Sequence, residues 1–343
     1  RRGLTPGAAL AHARYPRLRH LILLCGLLLA LLLQPVSAKE RIFWLVRDLP
    51  PFTIFAGPEK GQGVIDQLLP LLIGQMPEYD HSIVRVNRAR GIQMLQDRNS
   101  FTCDPTLLWT PERAEYVRFS MPSLGVLSGG LVLRKENQAL AVPYLDGQQV
   151  DLHGLLSNGS LKLGIVAERS YGTQIDAILR QLPDSVLSRH YGNDATANLL
   201  QMQQLGRLRM VLGYWPEVRY LIQQQGGALA DYQFHPVQGV ERYQFLHVGC
   251  TDSPLGREAI AHIDRLLPAL RRDVLPALYA RWLDPALQED YLEDSKRSFE
   301  ANKPTDIHGR CRSSLVLRRG PHDKRHSQAA LALSQHKAAP TGK

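Results

Sequence analysis

The sequence predicts an α/β protein. Three observations carry this. Between residues 39 and 302, short apolar runs alternate with segments of helical period, the pattern of strands interleaved with helices. These 264 residues can bury one large core or build two lobes. The whole chain, 343 residues with 44% hydrophobic and 21% charged, is too apolar for a disordered polymer and too charged for a polytopic membrane protein.

The elements follow in order. Arg41–Val46 (RIFWLV) is a strand of the buried type. Asp48-Leu49-Pro50-Pro51-Phe52 is a rigid turn, because consecutive prolines block both helix and central strand. Residues 57–63 form a loop. Val64, Ile65, Leu68, Leu69, Leu72 and Ile73 have helical spacing and predict a helix over 64–75. Ser82–Val86 alternates as a strand, and Asn87 caps a helix running through Leu95. Phe101–Leu108 is a strand interrupted at Pro105. Pro111–Glu115 starts a short helix, and Gly130–Leu133 is a strand. A second unit follows: a helical turn at 151–156, a strand at 161–166, helices at 170–182 and 195–205, and a strand at 209–212 leading into Gly213-Tyr214-Trp215-Pro216. Tyr243–Val248 is a strand. Leu255–Leu267 is a helix that Pro268 breaks or kinks, continued over 271–283.

The net charge of +9 sits in the ends of the chain. Residues 1–38 carry five arginines and no acid; residues 303–343 carry nine Lys/Arg against Asp306 and Asp323, leaving 39–302 at −3. A body of that charge gives no electrostatic case for nucleic acid. Residues 1–38 read as a secretory signal peptide: a basic start, an apolar run from Leu21 to Leu33, and Val36-Ser37-Ala38 as a small-residue cleavage pattern. The expected mature chain starts at Lys39, in the oxidising periplasm. Residues 303–343 lose apolar periodicity and are expected to be a disordered basic tail, whose His308, Cys311, His322 and His326 match no zinc spacing.

Several motifs in combination carry a resemblance: Asp48-x-Pro50-Pro51-Phe52 after a strand, and Gly63-Val64-Ile65-Asp66 opening a helix. Thr110-Pro111-Glu112-Arg113-Ala114-Glu115 follows, then Phe119-Ser120-x-Pro122, Gly164-Ile165-Val166 with Ser170-Tyr171-Gly172, and Gly206-Arg207-Leu208 before a strand. In this order the chain over 39–302 resembles the type 2 periplasmic solute-binding proteins, in particular the family 3 group that includes amino-acid receptors of ABC importers. The resemblance implies two lobes joined by two crossing strands, near 129–133 and 242–248, with a ligand clamped between them. Lobe 1 would comprise 39–130 and 246–302, and the crossings with lobe 2 would take 131–245.

The same resemblance implies a ligand set of Asp48, Phe52, Trp109, Thr110, Arg113, Arg169, Ser170, Tyr171 and Tyr214. The chemistry is readable on the residues. The planar fork of Arg113 suits a carboxylate. Ser170 at a helix start, with Arg169 beside it, favours an anion. Phe52, Trp109, Tyr214 and Trp215 offer aromatic walls. Two departures from the amino-acid pattern matter. Tyr214 stands where an acid would take the ligand's ammonium, and Pro105 and Leu108 stand where small hydroxyl residues would. Glu217 lies close enough in sequence to compensate. A carboxylated or aromatic solute therefore fits as well as an amino acid. The implied fold also makes the strands of Cys103 and Cys250 neighbours, so a disulfide between them is expected in an oxidising compartment.

The expected function is capture of a small, carboxylated solute for an ABC importer. The alternatives are a sensing module that docks to a membrane receptor and a small-acid dehydratase on the same fold. No Ser-His-Asp order, HExxH, P-loop or CxxC is present, so a non-enzyme is expected. No cofactor or metal is expected. The expected partners are the solute and an ABC permease or membrane sensor, with the membrane met only through that partner and the protein a monomer.

Overall fold

The computed structural model describes residues 38–300. The expected signal segment up to Ser37 and the tail beyond 302 lie outside the described residues. Within them the chain builds two five-stranded sheets, each covered by helices.

The first sheet takes β1 (Arg41–Val46), β2 (Asp80–Arg85), β3 (Thr102–Leu108), β4 (Val117–Leu127) and, from far along the chain, β12 (Tyr243–Thr251). Its order is β2-β1-β3-β12-β4. β1 runs parallel to β2 and β3, and β12 runs antiparallel to β3 and β4. Helices α1 (Val64–Gln75), α2 (Arg88–Gln96) and the single turn α3 (Pro111–Ala114) connect these strands. Trp44, Leu68, Leu72, Ile263 and Leu267 are closed to solvent in one core, which apolar burial stabilises.

The second sheet takes β5 (Gly130–Arg134), β8 (Leu163–Val166), β9 (Leu187–His190), β10 (Met210–Gly213) and β11 (Tyr232–Pro236), in the order β11-β5-β10-β8-β9. A two-residue pair, β6 (Leu145–Asp146) with β7 (Gln149–Val150), stands beside it. Helices α4 (Leu152–Leu156), α5 (Thr173–Gln181), α6 (Ala195–Gln204) and α7 (Trp215–Gln224) cover it. Side chains alternate across β5: Leu131 and Leu133 join one core and Val132 the other, as the two-residue period of a strand requires.

The chain passes between the lobes twice, at Ser128–Gly129 and between β11 and β12. The two passages are tied by the Ser128 N–H donating to the Arg242 carbonyl at 2.9 Å. After β12, helices α8 (Pro254–Asp273), α9 (Leu275–Ala280) and α10 (Pro285–Glu300) return to the first lobe. Among the described residues no helix is long and apolar enough to cross a membrane.

Several expectations are corrected. Strands β4, β9 and β11 and helices α7 and α10 are present where the sequence reading had none. In β4 the polar residues Arg118, Ser120 and Ser123 and the proline Pro122 hide the alternation. The strand forms because β12 pairs along it, with a register shift where His247 meets Pro122. β9 is four residues of mixed polarity, paired to β8 along its whole length. β11 is an edge strand, where Pro236 is tolerated at the end. α7 starts at Trp215 with Pro216 in its first turn, where a missing N–H costs nothing. α10 is strongly charged, and Tyr291 and Ser295 mark its buried stripe. Pro105 does not interrupt β3: the β3–β12 register slips between Asp104 and Leu107, and the proline occupies that bulge. Pro268 does not end its helix either. α8 runs on to Asp273, with Leu267 and Arg271 buried on both sides of the proline, and the break falls at Val274.

Cys103 and Cys250 are directly opposite in the β3–β12 register and are joined by an S–S bond of 2.03 Å, with Cα atoms 4.0 Å apart.

Candidate functional site

The carboxyl ends of β1, β2 and β3 face the second lobe, and open parallel strands place ligands at such ends. The β1–α1 connection shapes the first wall. It makes a tight turn, with the Phe52 N–H donating to the Leu49 carbonyl at 2.7 Å. Gly63 lies against it so closely that a Cβ there would be 2.2 Å from the Phe52 carbonyl oxygen, so no other residue fits without a shift. The first amides of α1 are used up here: Val64 donates to Pro51 and Ile65 to Phe52. Phe52 then stacks on Tyr279, ring centres 5.9 Å apart.

Between the lobes lies a cavity of about 540 Å³, counting the solvent at its mouth. Leu108, Val126, Leu246, Phe52 and Tyr279 supply apolar wall from the first lobe. The second lobe contributes Ser170, Tyr214 and Pro216, and the arginines Arg88, Arg113 and Arg169 reach the same space.

The charges divide into two kinds. Arg169 is neutralised inside the protein: its guanidinium meets Glu217 in two bonds of 3.1 and 2.6 Å and touches Thr196 Oγ1 at 3.3 Å. Its plane also stands over the rings of Tyr171 and Tyr214. Burial works against its charge most strongly of any one cause, but Glu217 together with Tyr171 and Tyr214 outweighs it and holds the pKa above the ordinary value. Likewise Arg47 pairs with buried Asp104 and donates to Thr106 Oγ1 at 2.9 Å. Arg113 and Arg88 are different. Arg113 is 8% exposed, and among the described residues its guanidinium donates only to the Leu108 carbonyl, at 3.0 Å. Arg88, partly buried at the start of α2, has no hydrogen bond or ion pair among the described residues. Burial lowers its pKa first, and the neighbouring charges of Arg47, Arg169 and Arg113 lower it further, with Asp104 acting the other way.

Of the residues expected at the site, Phe52, Arg113, Arg169, Ser170 and Tyr214 line the cavity. Four others do not. Trp109 points outward, 40% exposed. Thr110 is buried as the cap of α3, its hydroxyl accepting the Arg113 N–H at 3.2 Å. Tyr171 lies behind the wall, stacked on Tyr214 at 5.9 Å, its hydroxyl oxygen accepting the Val166 N–H. Asp48 borders an adjoining crevice and pairs with Arg85 at 3.5 Å.

Two expected roles also change. Ser170 is not the first residue of its helix: α5 opens at Thr173 after Gly172, whose φ of +97° suits glycine. The Ser170 hydroxyl donates to Asp176, and that carboxylate also accepts the Tyr171 N–H at 2.8 Å. The chain's own acid therefore occupies the anion position there. Arg169 is bound to Glu217, so neither is free for a ligand's charge. Arg88 went unremarked in the sequence because it reads as a solvated helix residue. The signal available was its place right after the Asn87 cap that follows a strand.

The lobes also meet outside the cavity. The Trp215 indole N–H donates to Asp284 Oδ2 at 3.1 Å, and Arg219 pairs with Asp284 Oδ1 at 3.1 Å. Tyr220 meets Trp282 edge-on, with ring centres 6.0 Å apart.

No family model matches this sequence, and no curated protein matches it. Solved structures do match in fold. A histidine kinase sensor domain with similarity to periplasmic binding proteins aligns with a TM-score of 0.56 at 15% identity, over 71% of this chain and 96% of that one. A mutant of ArgBP from T. maritima aligns with a TM-score of 0.52 at 16% identity, over 71% and 95%. A chain from the study of glutathione import via GshT and the cystine ABC importer TcyBC of Streptococcus mutans aligns with a TM-score of 0.54 at 11% identity, over 71% and 95%. The protein thus has the two-lobed periplasmic-binding-protein fold with its cleft between the lobes.

Proposed function

We propose that this protein is a periplasmic receptor that captures a small carboxylated solute in the inter-lobe cleft and delivers it to an ABC importer. The observation that supports this best is Arg113. A buried guanidinium facing a cavity, with one backbone carbonyl for a partner, leaves most of its N–H donors for an incoming carboxylate. The apolar and aromatic walls suit the rest of a small organic acid. Nothing in the cavity sets up acid–base chemistry, because its one carboxylate, Glu217, is tied to Arg169.

The likeness to a histidine kinase sensor domain supports a second reading, in which the same capture event is reported to a membrane sensor. Both readings share the cleft and differ in the docking partner. A thermal-shift screen of carboxylates, amino acids and aromatic acids on the exported protein tests them jointly. A ligand at 100 times its Kd adds about 2.7 kcal/mol of stability. Arg113→Ala is expected to weaken that ligand by about 1.5–3 kcal/mol, the range for a hydrogen bond to a charged group, while the fold persists. Unchanged affinity would remove Arg113 as the anchor.

A further inference from the structure

We propose that the solute is a dicarboxylate with an apolar or aromatic middle and no ammonium group, held by Arg113 at one end and Arg88 at the other. This rests on the receptor reading above and specifies its ligand.

The argument is one of charge and of place. Arg47 and Arg169 meet Asp104 and Glu217 within the protein, and both pairs are buried. That leaves Arg88 and Arg113 as two cavity-lining guanidiniums with no ion pair of their own among the described residues; Asp104 and Asp176 act on them only from a distance, and each of those acids is bound elsewhere. Two like charges without direct ion pairs in a partly desolvated cleft are unfavourable, and a ligand with two negative charges relieves this more fully than one with a single charge. The depressed pKa of Arg88, due to burial and the surrounding guanidiniums, points the same way.

The two arginines enter from different places. Arg88 opens α2 after β2, and Arg113 sits in α3 after β3. β1 lies between those strands, so their ends stand about 10 Å apart, twice the inter-strand spacing. The two side chains thus reach the cavity from separate connections, an arrangement that suits two acid groups on one molecule. Leu108, Val126, Leu246 and Phe52 line the space with apolar surface. A ligand ammonium finds no free acid: Glu217 is held by Arg169, and Asp176 by Ser170 and the Tyr171 amide.

The test is titration calorimetry with matched probes: the α,ω-dicarboxylates malonate to adipate and terephthalate, the monocarboxylates butyrate, valerate and benzoate, the amino acids L-glutamate and L-arginine, and inorganic phosphate. At least one dicarboxylate is expected to bind about tenfold or more tightly than its monocarboxylate partner, the worth of one extra charged hydrogen bond. Arg88→Gln is expected to erase that gap and to affect dicarboxylates far more than monocarboxylates, while Arg113→Gln weakens both classes. Arg88→Lys, which keeps the charge without the fork, retains part of the gap, and circular dichroism checks that each variant is folded. A monocarboxylate, an amino acid or phosphate binding as tightly as every dicarboxylate overturns the proposal and leaves the receptor reading standing. So does a gap that survives Arg88→Gln. If no probe binds, both fall together.

Discussion

Arg169 and Glu217 face each other across the second-lobe side of the cleft as a two-pronged ion pair, at 3.1 and 2.6 Å, both nearly closed to solvent. The pair lies beside Tyr214, over whose ring the Arg169 guanidinium stands. It turns an acid that could have met a ligand's ammonium into part of the protein's own wall.

Breaking this pair from one side is expected to be costly. Arg169→Met leaves Glu217 buried and unpaired, and should lower unfolding stability by about 3–5 kcal/mol. Removing both charges in Arg169→Met/Glu217→Leu should recover most of that loss. Urea unfolding of the three proteins reads this directly. A single variant as stable as the parent would mean that water or another cation compensates Glu217.

Asp284 ties the lobes, taking the Trp215 indole N–H and the Arg219 guanidinium. Asp284→Ala should favour the open arrangement. Small-angle scattering should then show a larger radius of gyration, and the affinity of any cleft ligand should fall about fivefold, the effect of losing about 1 kcal/mol. An unaltered scattering profile and affinity would show that the contact does not bear on closure.

The disulfide closes a sequence separation of 147 residues. In the chain-entropy account a loop of that size contributes about 5 kcal/mol. The Cys103→Ala/Cys250→Ala protein should unfold at a clearly lower denaturant midpoint, and reductant should bring the parent toward the same value. A midpoint indifferent to both changes would contradict the assignment.

His247 gives a pH dependence with a definite sign. Burial lowers its pKa below the ordinary 6.5, the Ser120 carbonyl at 2.7 Å pulls it back in part, and the charge of Arg271 lowers it further. The unfolded chain therefore binds the proton more readily than the folded one. The neutral ring's share of stability is fully present above pH 6.5 and is lost as pH falls below that value toward the lower folded pKa. His247→Gln should flatten the stability profile in that interval, which unfolding midpoints at several pH values would reveal. A profile as steep in the variant as in the parent would assign the slope to other groups.

The sequence by itself determined the alternation of strands and helices, and with it the fold class. The runs in β1, α1, β10 and α8 have unambiguous period, and the Pro50-Pro51 turn and the Thr110-Pro111 cap mark junctions through local chemistry alone. The placement of Arg113 at the cleft was legible for the same reason, since its position just after a strand is written in neighbouring residues. What only the tertiary structure decided depends on contacts between distant segments. β4 and β11 are strands because β12 and β5 pair with them, despite Pro122 and Pro236. Local sequence likewise cannot say which charges find partners. Arg169 and Glu217 are 48 residues apart, and their pairing removed one expected anion site and one expected cation site together. Arg88 is left without an ion pair among the described residues because the acid nearest it, Asp104 on β3, is taken by Arg47. Charge pairing in a cleft is a property of the folded neighbourhood, set by which guanidinium reaches which carboxylate once water is excluded.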